Sequence, residues 1–269
     1  MKKIIETYEE FGFMLWYHLP IAYHFHIKNK LKKTISRIGT KAVFYFSPNH
    51  EEIRRNDSNF RKFQICYTHN QPEFTKSGWA PPPLKKHYKN NIIKFNKPII
   101  TIHNKNTLEW GNSGIFNYFN SEALDKIFKL FYDTHKIIYI RPVDNGESVK
   151  LQKDDGQNTI DIGDLRLIKN KYPNVLWIGD MFEKYKVESY NELQFMILAN
   201  SEMHIASAGE AVIPAYFGGD LLIYGCPNCN SKNRGVWKTD SWMKLLSNCK
   251  IYGYTNYNQL LLKAKELWK

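Results

Sequence analysis

The segment Ser207-Ala208-Gly209-Glu210 follows the apolar run SEMHIAS and precedes AVIPAYFGG. Small residues in a turn that leaves a strand and enters a helix expose backbone N–H groups and the positive end of a helix dipole. Such a turn can hold a phosphate. The Ser207 hydroxyl and the amides of Ala208 and Gly209 would take its oxygens, and Glu210 would take a ribose or sugar hydroxyl. A purely structural role is the alternative, with Ser207 an N-cap and Gly209 allowing close packing. His103-Asn104-Lys105 follows another apolar run, PIITIH, with Glu109 and Trp110 just beyond. Asn104 there offers a polar group to a crevice, and Lys105 offers a diphosphate a mobile point charge. Arg141 ends KIIYIRP and suits bidentate phosphate recognition, or pairing with Asp144 or Glu147. Gly179-Asp180 ends NVLWIGD, where backbone groups could read a nucleobase edge or Asp180 could cap a helix.

Acid–base chemistry has its candidate near the start of the chain. Glu9-Glu10-Phe11-Gly12-Phe13 is an acidic turn before a helix. Glu10 could take a proton from a hydroxyl nucleophile, and Gly12 permits close approach of backbone to a ligand. His18 is a rival base. His18, His24 and His26 do not make a metal site, because offsets of six and two place them on different helix faces. Cys226-Pro227-Asn228-Cys229 is a lone CxxC without the second pair a zinc ribbon needs, and Cys66 and Cys249 do not supply it. No P-loop, GxGxxG or GxSxG sequence occurs.

The elements that must position these residues alternate. From residue 97 onward the apolar runs 98–103, 136–142, 174–180, 201–207, 220–225 and 249–255 read as six strands. Helical patterns lie between them at 121–133, with Ser121 as N-cap, at 162–172 and at 189–200, and a terminal helix follows at 258–269. Continuous apolar strands alternating with helices predict a parallel sheet covered on both faces, with binding crevices at the strands' carboxyl ends. Before residue 96 the signals are a helix kinked by Pro20 and two aromatic-rich strands, 41–47 and 63–69. The Pro81-Pro82-Pro83 run marks a boundary. The expected division is a basic domain over 1–95 and a Rossmann-like domain over 96–269.

Composition narrows the classes. The 269-residue chain is 43% hydrophobic and 15% aromatic, which supports a buried core. No apolar run is long enough to span a bilayer, the start lacks a secretory pattern, and four cysteines do not suggest a disulfide scaffold, so a reducing, cytoplasmic setting is expected. Of the net charge of +12, residues 1–95 hold most, with 17 Lys and Arg against 7 Asp and Glu. A basic N-terminal part implies an anionic partner: nucleic acid, a phospholipid surface or a phosphorylated substrate.

The chain resembles sugar-nucleotide glycosyltransferases of the GT-B type. EEFGFMLWYHLPIAY is similar to the acidic-glycine opening of bacterial and viral polysaccharide glycosyltransferases. KPIITIHNK with SEALDKIFKLFYDTHKIIYIRP looks like the start of the donor domain in heptosyltransferase- and fucosyltransferase-like enzymes, and residues 189–225 look like their diphosphate-binding segment. His103-Asn104-Lys105 departs from the His-X-Arg-Arg run common in the fucosyltransferase-like members. The resemblance implies two Rossmann-like domains, the N-terminal one small. It implies transfer of a sugar from a nucleoside diphosphate sugar to a glycan or lipid-linked hydroxyl, with no metal or other cofactor. Glu10 would be the base; Lys105, Arg141 and the Ser207–Gly209 amides would stabilise the departing diphosphate. The N-terminal part would face the acceptor or a membrane surface. The competing readings are a nucleic-acid-binding protein using Lys28, Lys30, Lys32, Lys33, Arg37, Arg54, Arg55 and Arg61, and a non-catalytic glycan-binding relative.

Overall fold

A computed structural model describes residues 2–7, 11–53, 78–105, 117–141, 160–225, 242–247 and 249–269. The C-terminal part is a six-stranded sheet of β4 (Ile99–His103), β5 (Lys136–Ile140), β6 (Leu176–Trp177), β7 (Met203–Ser207), β8 (Asp220–Tyr224) and β9 (Lys250–Tyr254). Every pairing is parallel and the spatial order is β6-β5-β4-β7-β8-β9. The first strand of this sheet thus lies beside the fourth, and the order reverses between them. That is the doubly wound arrangement in which ligands enter at the carboxyl ends of the two central strands.

Alternation within each strand builds the two cores. Ile138 and Ile140 face one apolar cluster, with Ala206, Leu221 and Ile223, under the Tyr190–Leu198 helix. Ile137 and Tyr139 face the other, with Ile100, Ile102 and Leu222, under the Ser121–Phe131 and Tyr257–Trp268 helices. Successive strand residues point to opposite faces, so a sheet covered twice is buried, and mostly apolar, along its whole strands. Each of the six strands expected from sequence has its counterpart here, although the one expected over 174–180 is only Leu176–Trp177.

The N-terminal part has a second parallel sheet, β1 (Lys3–Glu6), β2 (Leu31–Arg37) and β3 (His50–Ile53), in the order β1-β2-β3. The strands are not the expected ones. Residues 41–46 form a turn that buries Val43, Phe44 and Phe46 instead of a strand, and 63–69 lie outside the described residues. Between β1 and β2 runs one continuous helical stretch: Phe11–Phe13, a π-helical segment Met14–His18, and Leu19–Ile27. Pro20 lacks an N–H, so carbonyls one turn back lose their helical donor. Two side chains from elsewhere replace it: Tyr216 Oη donates to the Leu15 carbonyl (2.5 Å) and Trp79 Nε1 to the Trp16 carbonyl (3.1 Å). The widened turn therefore ties the helix to both the C-terminal part and the segment after residue 78.

Other contacts knit the two sheets. Met14, Leu15 and Leu19 share a cluster with Val212 and Ile213. Asn191 Nδ2 donates to the Gly39 carbonyl (2.7 Å), and Tyr88 packs on Phe195 at 5.3 Å between ring centroids. Among the described residues no helix is long and apolar enough to cross a membrane.

Candidate functional site

The expected turn and the expected lysine meet at the strand reversal. His103 and Ala206 are register partners on β4 and β7, so the residues that follow each leave the sheet side by side. The Lys105 side chain lies across Gly209: a Cβ placed on Gly209 would stand 3.2 Å from Lys105 Nζ and 3.3 Å from its Cδ. A side chain at 209 would need the flexible lysine to give way by a few tenths of an ångström. Ser207 is fully buried, and its hydroxyl has no hydrogen-bond partner among the described residues. A buried orphan hydroxyl forfeits about 1–3 kcal/mol unless something else satisfies it. Beside it the turn closes through the Glu210 N–H to the Ser207 carbonyl (2.9 Å), and the Ala208 N–H donates to the Tyr224 carbonyl (2.9 Å). The Ala208 and Glu210 amides are therefore committed to the protein, and Glu210 itself is buried. The helix beyond is only Val212–Ala215, one turn, so its dipole adds little. The expected phosphate-holding amides and dipole reduce to the Gly209 backbone, the Ser207 hydroxyl and Lys105.

Asn104 has a different part from the one expected. It is buried, and its amide is fully used: Nδ2 donates to the Phe119 carbonyl (2.9 Å) and Tyr139 Oη (3.0 Å), while Oδ1 accepts from the N–H groups of Phe119 (2.8 Å) and Lys105 (2.9 Å). Two donors and two acceptors exhaust a carboxamide. Asn104 fixes where Lys105 leaves the sheet and ties residues 117–120 to the end of β4, leaving nothing for a ligand.

Arg141 likewise turns inward. Its Nε stands 3.0 Å from Asp164 Oδ2, with the two side chains 5% and 2% exposed. The guanidinium also lies 5.4 Å from the Trp177 ring centroid. Tyr139 Oη donates to the same Asp164 oxygen (2.6 Å). Beside that carboxylate and in full burial, the Tyr139 phenol is held well above its ordinary pKa, by burial first and by Asp164 second. A chain of polar contacts thus runs Lys105–Asn104–Tyr139–Asp164–Arg141 under the strand ends. Asp144 and Glu147, the expected alternatives for this arginine, lie outside the described residues; among the described ones a carboxylate at Arg141 is Asp164, at the start of the Asp164–Lys171 helix. The sequence carried one signal for it, a Gly-Asp pair opening a helix.

Asp180 is not at a strand end. Leu176–Trp177 is a two-residue strand, and the chain turns at once into the Ile178–Tyr185 helix, with Asp180 exposed in its first turn. Gly179 makes this possible, because the Trp177 ring folds back over it in the space a Cβ would need. At the other end of the chain Gly12 sits 3.9 Å, by a Cβ placed on it, from Val212 Cγ1. The start of the first helix therefore lies against the segment that follows the Ser207–Glu210 turn. His18 is buried on the π-helical segment, edge-on to Tyr17 at 4.9 Å. Glu10 lies outside the described residues, as do Glu109, Trp110, Cys226 and Cys229. Ser121 does not cap its helix; Asn120 does, accepting from the Ala123 N–H, while Ser121 Oγ donates to the Ile162 carbonyl (2.7 Å).

Thr101 and His204, register partners on β4 and β7, form a buried cross-strand pair (2.7 Å) one turn below the crevice. Burial pushes the His204 imidazole down to about 3, so it is neutral and structural. No group of three or more His, Cys, Asp or Glu side chains placed to hold a metal occurs among the described residues. Of the basic residues read as a nucleic-acid face, Lys28, Lys30 and Lys32 are exposed. Lys33 pairs with Glu51 and Arg37 is buried, while Arg54, Arg55 and Arg61 lie outside the described residues.

No protein-family model and no curated protein matches the chain. Two solved structures are similar to it in fold. One is a dodecameric iron-containing heptosyltransferase, TibC, in complex with ADP-D-β-D-heptose, at 11% identity and TM-score 0.46 over 83% of this chain. The other is the dodecameric iron-containing glycosyltransferase TibC from enterotoxigenic E. coli H10407, at 11% identity and TM-score 0.44 over 82% of this chain. The chain spans 57% of the length of each.

Proposed function

We propose that the chain is a glycosyltransferase that moves a sugar from a nucleoside diphosphate sugar to a hydroxyl of a glycan or lipid-linked acceptor. The observation that carries this reading is the meeting of Lys105 with Gly209 and the orphan Ser207 hydroxyl at the strand reversal of a doubly wound sheet. A diphosphate suits that place. Its oxygens would satisfy the Ser207 hydroxyl, and its charge would be met by an ammonium group held within reach of the turn. The first strand of this sheet is followed by His103-Asn104-Lys105 where a dinucleotide site would have its glycine-rich turn, which favours a leaving-group site over a dinucleotide cradle.

In the reaction the acceptor oxygen attacks the anomeric carbon while Glu10, or His18 in its stead, accepts the hydroxyl proton. The bond from that carbon to the diphosphate oxygen breaks, and the nucleoside diphosphate leaves with the electron pair. Lys105 and the Ser207–Gly209 turn neutralise the charge that develops on it. No metal is assigned a role. Gly12 lies near Val212, just after the Ser207–Glu210 turn, so the helix that carries His18 begins beside the proposed site, and the N-terminal part would face the acceptor. The test is release of nucleoside diphosphate from a panel of nucleotide sugars. Turnover with one nucleotide class, lost in Glu10→Gln while binding persists, supports the proposal. Absence of turnover with every class, while the nucleoside diphosphate still binds, points instead to a non-catalytic glycan-binding relative.

A further inference from the structure

β1 stands at the end of the order β1-β2-β3, so among the described residues one of its edges has no neighbouring strand. Which backbone groups line that edge follows from the ladder on the other side. The Lys3 N–H donates to the Lys30 carbonyl (2.7 Å) and the Thr7 N–H to the Ile35 carbonyl (3.0 Å). Backbone groups of a strand point alternately to its two sides, so Lys3, Ile5 and Thr7 serve β2, while Lys2, Ile4 and Glu6 direct theirs to the open edge. The one irregularity of the pairing falls on β2, where Lys32 is passed over between the partners of Lys3 and Ile4, so β1 keeps its alternation. Side chains alternate too, and the same three residues share one face of the sheet. The long helix packs on the other face, where Ser36 Oγ meets Met14 Sδ (3.3 Å). Lys2, Ile4 and Glu6 are all exposed, Ile4 by 50%.

We propose that β1 pairs antiparallel with β1 of a second copy of this chain, about a twofold axis at Ile4. An antiparallel neighbour must set outward-pointing residues opposite outward-pointing residues. Centred on Ile4, that register places Lys2 opposite Glu6 of the second copy and Glu6 opposite Lys2 of the second copy. The two Ile4 side chains lie together between these ion pairs. Each of the three positions exchanges two N–H···O bonds across the axis. A twofold contact must be self-complementary. Lys2, Ile4 and Glu6 meet that condition, because their charge reverses from one end to the other and antiparallel running brings unlike charges face to face. Charges on an edge strand often keep other strands away. Here they repel a copy that runs parallel in register and attract one that runs antiparallel. The two three-stranded sheets become one of six strands. The inference stands apart from the glycosyltransferase reading.

The experiment is sedimentation velocity of the full chain over a range of concentrations. One strand pair is small beside the interface of a stable dimer, so a monomer–dimer equilibrium with Kd on the order of 0.1 mM is expected. Lys2→Glu and Glu6→Lys each set like charges opposite one another at both ends of the contact, and each should weaken self-association at least about ten-fold. An equimolar mixture of these two variants restores unlike charges at both ends and should associate as wild type does. Ile4→Pro removes an N–H that faces the open edge and none from the β1–β2 ladder, so it should stay folded and monomeric. A wild type that remains monomeric at concentrations well above the expected Kd overturns the proposal. So does association unchanged in either charge variant, or a mixture that stays monomeric where wild type dimerises.

Discussion

Removing the charge of Asp164 should unsettle the whole floor of the crevice. Asp164→Asn keeps the shape and takes from the Arg141 guanidinium, 5% exposed, the carboxylate at 3.0 Å. Removing one partner of a buried ion pair costs about 3–5 kcal/mol. The Tyr139 hydroxyl also loses a charged acceptor at 2.6 Å for a neutral one, roughly 1 kcal/mol more. At about 2–4 °C per kcal/mol for a chain of this size, the melting temperature should fall by about 10 °C or more. Urea unfolding followed by tryptophan fluorescence reads the loss directly, because Trp177 lies against the guanidinium. The companion variant Arg141→Met/Asp164→Leu removes both charges and should recover most of the stability, since a buried pair replaced by apolar groups of similar size is often neutral. It should also bind nucleoside diphosphate within about three-fold of wild type, each ten-fold being about 1.4 kcal/mol, because Arg141 is committed to the interior. A loss below ~1 kcal/mol in Asp164→Asn would refute the reasoning, and so would a double variant less stable than the single one.

Three further outcomes follow from single positions. Gly219 has φ 76°, and its Cβ would run into the backbone carbonyl of Glu202, so Gly219→Ala should cost about 3 kcal/mol or more in urea unfolding. Burial pushes the Cys249 thiol up to about 12; a thiol reagent should label it at pH 8 only as fast as the protein opens, and quickly in denaturant. His50, held by Thr34 (2.7 Å) and stacked on Phe44, is lowered to about 4 by burial, so the unfolded state takes its proton first as pH falls. Its contribution is fully present above about pH 6.5 and lost down to about pH 4, roughly 3 kcal/mol in all, and His50→Gln should flatten that part of the stability profile.

Much of the C-terminal part was legible because its strands are covered on both faces and are mostly apolar along their length. IITIH, KIIYI and MHIAS carry that signal without ambiguity. The N-terminal sheet was not, because KIIE, LKKTISR and HEEI are half exposed and read as polar segments, while the aromatic run 41–46 buries its rings from a turn. Strand propensity reports a fit to a half-buried surface and is weak evidence where only one face is covered. NVLWIGD misleads for a different reason: Gly179 admits the Trp177 ring and lets the chain coil two residues into the strand. The adjacency of Lys105 and the Ser207–Gly209 turn was readable from position, since both follow the paired central strands β4 and β7. Asp164 was not, because its partner Arg141 lies on a different element and only the fold brings the two together. Nor does spacing reveal that Asn104 spends its whole amide on Phe119, Tyr139 and Lys105.

The central claim is that Lys105 and the Ser207–Gly209 turn form a diphosphate site. Calorimetric titration of wild type and Lys105→Ala with UDP, GDP, CDP, ADP and TDP, each beside its nucleoside, tests it most directly. Micromolar binding of one diphosphate, weakened at least about ten-fold in Lys105→Ala while the nucleoside's weaker affinity is unchanged, is the predicted result. Binding of no diphosphate, or equal binding to wild type and variant, would contradict it.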